Sequence, residues 1–326
     1  METQLVCISD IAKIHHLKAS TLQKQYKEYI SDFKDWKPSI DSDNLIYPEN
    51  FSEKMSIDET TLQNGELYTI LTNKDAKGKK GVLAALIKGT KSEIINKALN
   101  VVPIKTRMAV KEITLDLANS MDWICRTSFP RAIYTADRFH FQKIISEGVQ
   151  EIRINHRRKA IDKENNKIME ARKHKIQYHP EIYSNGDTKK QLLARSRHLL
   201  FKTRSNWTLS QLERSKILFE NFPEIQKAYE LSMYFRGIFE RRISREEGKK
   251  HLKKWYEKID KSKIPTLISA SNTIKNHEGK ILNYFQSRSS NASAESFNAK
   301  LKGFRSLLRG VKDMKFFMFR VETLFA

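Results

Sequence analysis

The pattern of apolar and polar positions divides the chain into a strand-rich stretch and a longer helix-rich one. Residues 55–60, 65–73 and 81–89 each read as a strand bounded by polar turns, and 67–71 and 82–87 are mostly apolar on both faces, as in strands covered by helices. Residues 92–100 carry a helical period, 109–117 a fourth strand, 118–129 a second helix stopped by Pro130, and 132–136 a fifth strand. A meander of three antiparallel strands, followed by a helical crossover to a parallel partner, places the fourth strand beside the first. The expected fold class is an α/β domain with a mixed five-stranded sheet over residues 52–150.

From 151 to 284 the strand signal gives way to helices over 151–175, 190–202, 209–220, 223–242 and 246–258, a large all-α insertion ahead of a final helical part, 285–326. At the other end, residues 1–34 have the spacing of a small helix-turn-helix-like segment. Ile11 and Ile14 share a face of its first helix, Ser20 is placed as an N-cap, and Leu22, Tyr26 and Tyr29 mark the second helix. On that reading Thr21, Gln23, Lys24 and Lys27 face a DNA major groove; a plain helical hairpin fits the same pattern. Residues 35–51, with Pro38 and Pro48 and no sustained period, read as a linker.

Charge sharpens this division. The net charge is +22 and the pI about 9.8, but residues 1–150 hold 21 Lys and Arg against 19 Asp and Glu, while 151–326 hold 39 against 19. A field concentrated in the insertion points to a polyanionic partner, because each neutralised phosphate releases condensed counterions. Arg157, Arg158 and Lys159 stand in its densest basic run and are the expected phosphate contacts; a solvated helix face is the plainer alternative. The two cysteines, Cys7 and Cys125, form no Cys-x-x-Cys pair, which excludes a cysteine zinc site and fits a reducing compartment. With no apolar run of membrane-spanning length and no signal-peptide pattern, the expected location is the cytoplasm, beside the nucleoid.

The chemistry sits on acidic residues at element ends. Asp58 closes the first strand, Asp116 the fourth, and Glu295 lies early in a helix opened by serines and Asn291. On that helix Asn298 and Lys302 share the face of Glu295 and are expected to touch DNA, while Phe297, Leu301 and Phe304 form the face that packs on the sheet. Three converging carboxylates are hard oxygen ligands of the kind that hold two Mg²⁺ or Mn²⁺ ions roughly 3.5–4 Å apart for phosphoryl transfer. Asp137, at the end of the fifth strand and followed by His140, competes with Asp116 as the second aspartate.

Three blocks carry a family resemblance: Met55-Ser-Ile-Asp-Glu-Thr60, Thr135-Ala-Asp-Arg-Phe-His-Phe141 and Asn291-Ala-Ser-Ala-Glu-Ser-Phe-Asn-Ala-Lys-Leu-Lys302. Together they resemble the landmark blocks of bacterial insertion-sequence transposases of the ISL-three group, especially its ISAon-type branch, over about residues 50–326. The resemblance implies a ribonuclease H-like fold and a DDE active site that uses Mg²⁺ (or Mn²⁺) to cut transposon ends and join the 3′ hydroxyl to target DNA. It further implies double-stranded DNA, the terminal inverted repeats and the target, as partner, bound by a homodimer. Family topology favours Asp116 as the second aspartate and leaves Asp137 and His140 as an Asp-x-x-His pair. The N-terminal cysteine zinc module of many relatives has no counterpart in the sequence, so end recognition is expected either to be incomplete in this chain or to be supplied by a separate polypeptide. Two other readings compete: a DNA-binding regulator that keeps an inactive transposase fold, and a ribonuclease H-like nuclease. Three clustered carboxylates argue against the first and the long basic insertion against the second.

Overall fold

The computed structural model describes residues 6–38, 44–62, 65–308 and 313–326. In chain order its elements are α1 (Ile8–Ile14), α2 (Ala19–Gln25), β1 (Leu45–Ile46), β2 (Lys54–Thr61), β3 (Leu67–Asn73), β4 (Leu83–Lys88), α3 (Ser92–Leu99), α4 (Ile104–Ala109), β5 (Glu112–Leu115), α5 (Asn119–Ser128) and β6 (Ile133–Ala136). Then follow α6 (Arg138–Lys173), α7 (Lys189–Arg195), α8 (Leu209–Asn221), α9 (Pro223–Glu240), α10 (Arg245–Ser262), α11 (Pro265–Asn276), α12 (Glu278–Ser287), α13 (Ala292–Leu307) and α14 (Met314–Phe325). The chain divides into two compact units, Met1–Arg138 with Arg288–Ala326, and Phe139–Ser287.

The sheet of the first unit has six strands in the order β1-β4-β3-β2-β5-β6, one more than the five expected. The extra strand comes from the stretch read as a linker. Leu45 and Ile46 are fully buried and pair antiparallel with Leu86 and Ala85, but a two-residue strand is too short to leave a period in the sequence. Residues 39–43 of that stretch lie outside the described residues. β2 pairs antiparallel with β3 and parallel with β5, and β5 pairs parallel with β6.

Strand alternation gives the two faces different jobs. On one, Met55, Ile57, Leu71, Ile87, Ile113 and Leu115 pack on Ile95 and Leu99 of α3 and on Ile124 and Phe129 of the α5 region, all buried. On the other, only the β1-β4-β3 half is apolar: Leu45, Tyr68, Ile70 and Leu86 pack under Phe297, Leu301 and Phe304 of α13 and under Phe317, Val321 and Phe325 of α14. The β2-β5-β6 half of that face carries Ser56, Asp58 and Thr60, then Thr114, then Thr135 and Asp137. Polar residues at buried positions forfeit transfer energy, so this half is reserved for something other than packing.

The N-terminal helices join this unit through aromatic contacts. Tyr26 and Phe33 pack edge-on against Phe316 of α14, with ring centroids 6.2 and 5.1 Å apart. In the second unit, α6 is one continuous helix of 36 residues that starts at the last residue of the first unit. Its Phe141 meets Phe235 and Phe239 of α9, and Phe235 meets Trp255 of α10. Gly248 is where α10 approaches α12: a Cβ there would run into the ring of Phe285.

Candidate metal centre

The centre is built by strand register. In the two parallel ladders Ser56 pairs with Thr114 and Thr114 with Thr135, so all three point to the same face. Two residues further along each chain stand Asp58, Asp116 and Asp137. Successive side chains alternate, so Asp58, inside β2, returns to that face, while Asp116 and Asp137 each stand one residue past the end of β5 and β6, on strands spaced roughly 4.8 Å apart. Open α/β sheets bind ligands at this edge.

Each acid is held differently. Asp58 Oδ1 accepts the Glu59 N–H at 2.8 Å and its Oδ2 accepts a hydrogen bond from Asn298 Nδ2 at 2.7 Å, which fixes the carboxylate plane. Asp116 Oδ1 accepts the N–H of Leu117. Asp137 is 2% exposed; its Oδ1 accepts the Asn291 N–H at 3.0 Å, and its Oδ2 is buried with no hydrogen-bond partner in the protein. Glu295, in the first turn of α13, is exposed and offers a carboxylate oxygen within 4.8 Å of one on Asp137. The group within that distance is built on Asp137 and Glu295; among the described residues Asp58, Asp116 and Glu295 do not form such a group. His140 lies in the first turn of α6, three residues after Asp137.

Electrostatics mark the same place. Burial raises the Glu59 carboxyl above its ordinary value, and the charges of Asp116 and Asp58 raise it further. Lys74, which follows β3, donates to Thr114 Oγ1 at 2.8 Å and to Ser289 Oγ, and Thr114 and Ser289 share a 3.0 Å hydrogen bond. Burial lowers the Lys74 ammonium although Glu112 and Asp137 act to raise it. Lys74 thus ties the segment before α13 to the floor of the sheet, and Asn291, two residues on from Ser289, delivers its N–H to Asp137. Neither Glu59 nor Lys74 stands out in the sequence pattern. Glu59 is marked only by lying next to Asp58, and Lys74 acts through partners 40 and 215 positions away.

The donor set fits a divalent ion. Besides Asp137 Oδ2, the buried polar atoms without a protein partner include both amide atoms of Asn291, Asn298 Oδ1, Ser293 Oγ and the hydroxyls of Ser56 and Thr135, all on this half of the sheet or on α13 and its N-cap. An orphaned buried oxygen costs about 1–3 kcal/mol unless water or a cation satisfies it. Carboxylates backed by hydroxyls and amides are the hard ligands Mg²⁺ and Mn²⁺ take.

The residues expected to touch DNA are distributed over both units. Thr21, Gln23 and Lys24 are exposed on α2, whereas Lys27 pairs with Asp313 at 2.5 Å and lies over the Phe33 ring at 4.9 Å. Arg157, Arg158 and Lys159 lie on the surface of α6, and Lys302 is exposed on α13. Asn298 is 7% exposed and faces Asp58: the helix turns it inward beside Phe297 and Leu301. No described helix is long and apolar enough to cross a membrane.

Residues 55–321 match the model of the ISL-three group of DDE transposases, described simply as transposase. No curated protein matches. Among solved structures, the Drosophila P element transposase strand transfer complex is similar at 12% identity and a TM-score of 0.39, with 97% of this chain and 90% of that chain covered. The family match spans most of the chain and contains every acid of the centre, and the chain belongs to the ISL-three family of DDE transposases.

Proposed function

We propose that the chain cuts transposon ends and joins the freed 3′ hydroxyl to target DNA, with Asp58, Asp116 and Glu295 holding Mg²⁺ (or Mn²⁺) and Asp137 completing the acidic set. The observation that carries this reading is Glu295 of α13 beside the buried, partly unmatched Asp137, on the half-sheet where the paired Ser56, Thr114 and Thr135 stand two residues before Asp58, Asp116 and Asp137. A divalent ion held by these residues would supply Lewis-acid activation of the attacking water or 3′ hydroxyl and charge stabilisation at the leaving oxygen. The protein's part is to keep the ligands still. Asn298 and the Glu59 N–H each occupy one lone pair on a different oxygen of Asp58 and so orient its carboxylate. Asn291 does the same for one oxygen of Asp137 and leaves the other without a partner. His140 takes the role of the histidine in an Asp-x-x-His pair.

DNA is the substrate, and the basic second unit offers Arg157, Arg158 and Lys159 to its phosphates, while Thr21, Gln23 and Lys24 of α2 reach a groove. Two transposon ends call for a homodimer, in the cytoplasm with the nucleoid, and the three landmark blocks favour the ISAon-type branch. The test is a labelled DNA end in Mg²⁺, with binding read by gel shift and chemistry by product length. Glu295→Gln should keep binding and lose cleavage and joining. Retained cleavage in that variant would rule the reading out.

A further inference from the structure

The second unit contains a cavity of about 290 Å³ that the metal centre does not use, close to the lower end of the roughly 300–1,000 Å³ typical of small-ligand sites. One wall is α6, which places Lys159, Lys163 and Lys167 four residues apart on a single helix face. The facing wall is the segment after α6. Lys175 adopts a left-handed φ of 56°, the chain turns, and Tyr178, Pro180 and Glu181 line the same cavity. That segment closes in an Ile182–Thr188 bridge around Gly186, whose φ of 79° suits glycine. Asp187 anchors it: one carboxylate oxygen is bound by Arg195, the other by Arg214 at 2.9 Å and Asn185 at 3.0 Å. The cavity therefore has fixed walls, and Ala160 and Phe222, 8% and 4% exposed, give it an apolar floor.

Most charges around it are already matched. Glu164 pairs with Lys190 at 3.0 Å, Glu181 with Lys167 at 3.4 Å, and Lys189 lies over the Phe222 ring at 5.3 Å. Lys159 and Lys163 make no ion pair or hydrogen bond among the described residues. Two unmatched ammonium groups at the rim of a half-apolar, aromatic-walled cavity ask for an anionic ligand with a flat apolar body. A bare phosphate would leave the tyrosine and the apolar floor unused, and a duplex is far too wide.

We propose that this cavity binds a nucleoside phosphate, free or as one nucleotide of single-stranded DNA, with its phosphate on Lys159 and Lys163 and its base against Tyr178. The inference does not depend on the metal centre. It is tested on the full chain by fluorescence polarisation with a labelled oligo(dT), with dTMP and inorganic phosphate as competitors. Lys163→Ala and Tyr178→Ala should each weaken oligo(dT) binding by about tenfold, the size of a single charge-assisted or stacking interaction, at unchanged melting temperature. Tyr178→Phe should restore it. Lys216→Ala, an exposed lysine on α8, should bind like the parent. Displacement by dTMP assigns a free nucleotide; a strand that dTMP fails to displace, but that keeps the same dependence on Lys163 and Tyr178, assigns a nucleotide of DNA. Equal weakening by Lys216→Ala, no effect of Tyr178→Ala, or displacement of the strand by inorganic phosphate at the concentrations at which dTMP displaces it each overturns the proposal.

Discussion

Asp187 in the second unit and Asp137 in the first are both buried, at 0% and 2% exposure, yet their oxygens meet opposite surroundings. Burial alone would raise the Asp187 carboxyl, but hydrogen bonds and charge from Arg214 and Arg195 outweigh it and hold it below the ordinary carboxylate range. Asp137 has one backbone N–H on one oxygen and no hydrogen bond from the protein on the other, beside the carboxylate of Glu295. A buried acid with its cations supplied by the chain is a structural clamp. One left short beside a second carboxylate is a candidate ligand for a cation that arrives from solution.

The largest effect that this contrast predicts is on chemistry. Asp137→Asn should lower cleavage of a DNA end by about a hundredfold or more, as removal of one charge-stabilising ligand from an active site does, while the melting temperature holds or rises. Asp187→Asn should do the reverse. Removing one side of a buried pair costs about 3–5 kcal/mol, read as a lower melting temperature of the second unit, with catalytic rate constants of the folded fraction preserved. If Asp187→Asn instead abolishes cleavage in folded protein, the division into clamp and centre is wrong.

Smaller effects sharpen the comparison. Asn298→Ala and Lys74→Met remove residues that position Asp58 and the segment before α13, and each should reduce the cleavage rate more than it weakens end binding. Lys74→Arg should recover part of the activity, which a merely space-filling role would not explain. The pH response should split between the units. Asp187, with a depressed value, contributes stability that is present above the ordinary carboxylate range and is lost as pH falls through its lowered value. Glu59, with a raised value, contributes stability that is full below the ordinary range and is lost as pH rises through its raised value. Metal-free Glu59→Gln should therefore melt higher than the parent at neutral pH and equal to it in mild acid. Smallest is a matter of slope: replacing Arg157, Arg158 and Lys159 by alanine should reduce the salt dependence of DNA binding by about 0.9 for each phosphate that is no longer neutralised, uniformly across sequences.

Much of the first unit was legible because period and register speak through neighbours. β2 to β6, the crossover helix and the helix of Glu295 follow from alternation, turn residues and a single apolar stripe. What stayed hidden depends on distant partners or on brevity. β1 has two residues; α4 occupies residues 104–109, so β5 is only Glu112–Leu115, shorter than the 109–117 expected. The helix expected to begin near residues 137–140 does start at Arg138, but it runs unbroken through the separately read stretch 151–175, and Gly148 within it lies closely against Leu267. The candidates Asp58, Asp116, Asp137 and Glu295 were suggested by strand ends and a helix start. That Asn298 turns inward to Asp58, that Lys27 is bound by Asp313, and that Glu295 reaches Asp137 are facts of packing between segments far apart in sequence.

The central claim is that the acids of the first unit around Asp137, and not the clamped Asp187 of the second, hold the divalent ion. Mn²⁺ titration followed by electron paramagnetic resonance, with and without duplex DNA, measures this on the parent chain, Asp137→Asn and Asp187→Asn. The account predicts bound Mn²⁺ in the parent and in folded Asp187→Asn, and none in Asp137→Asn. Mn²⁺ bound to Asp137→Asn with the parent's affinity and stoichiometry, or no bound Mn²⁺ in the parent under either condition, would contradict it.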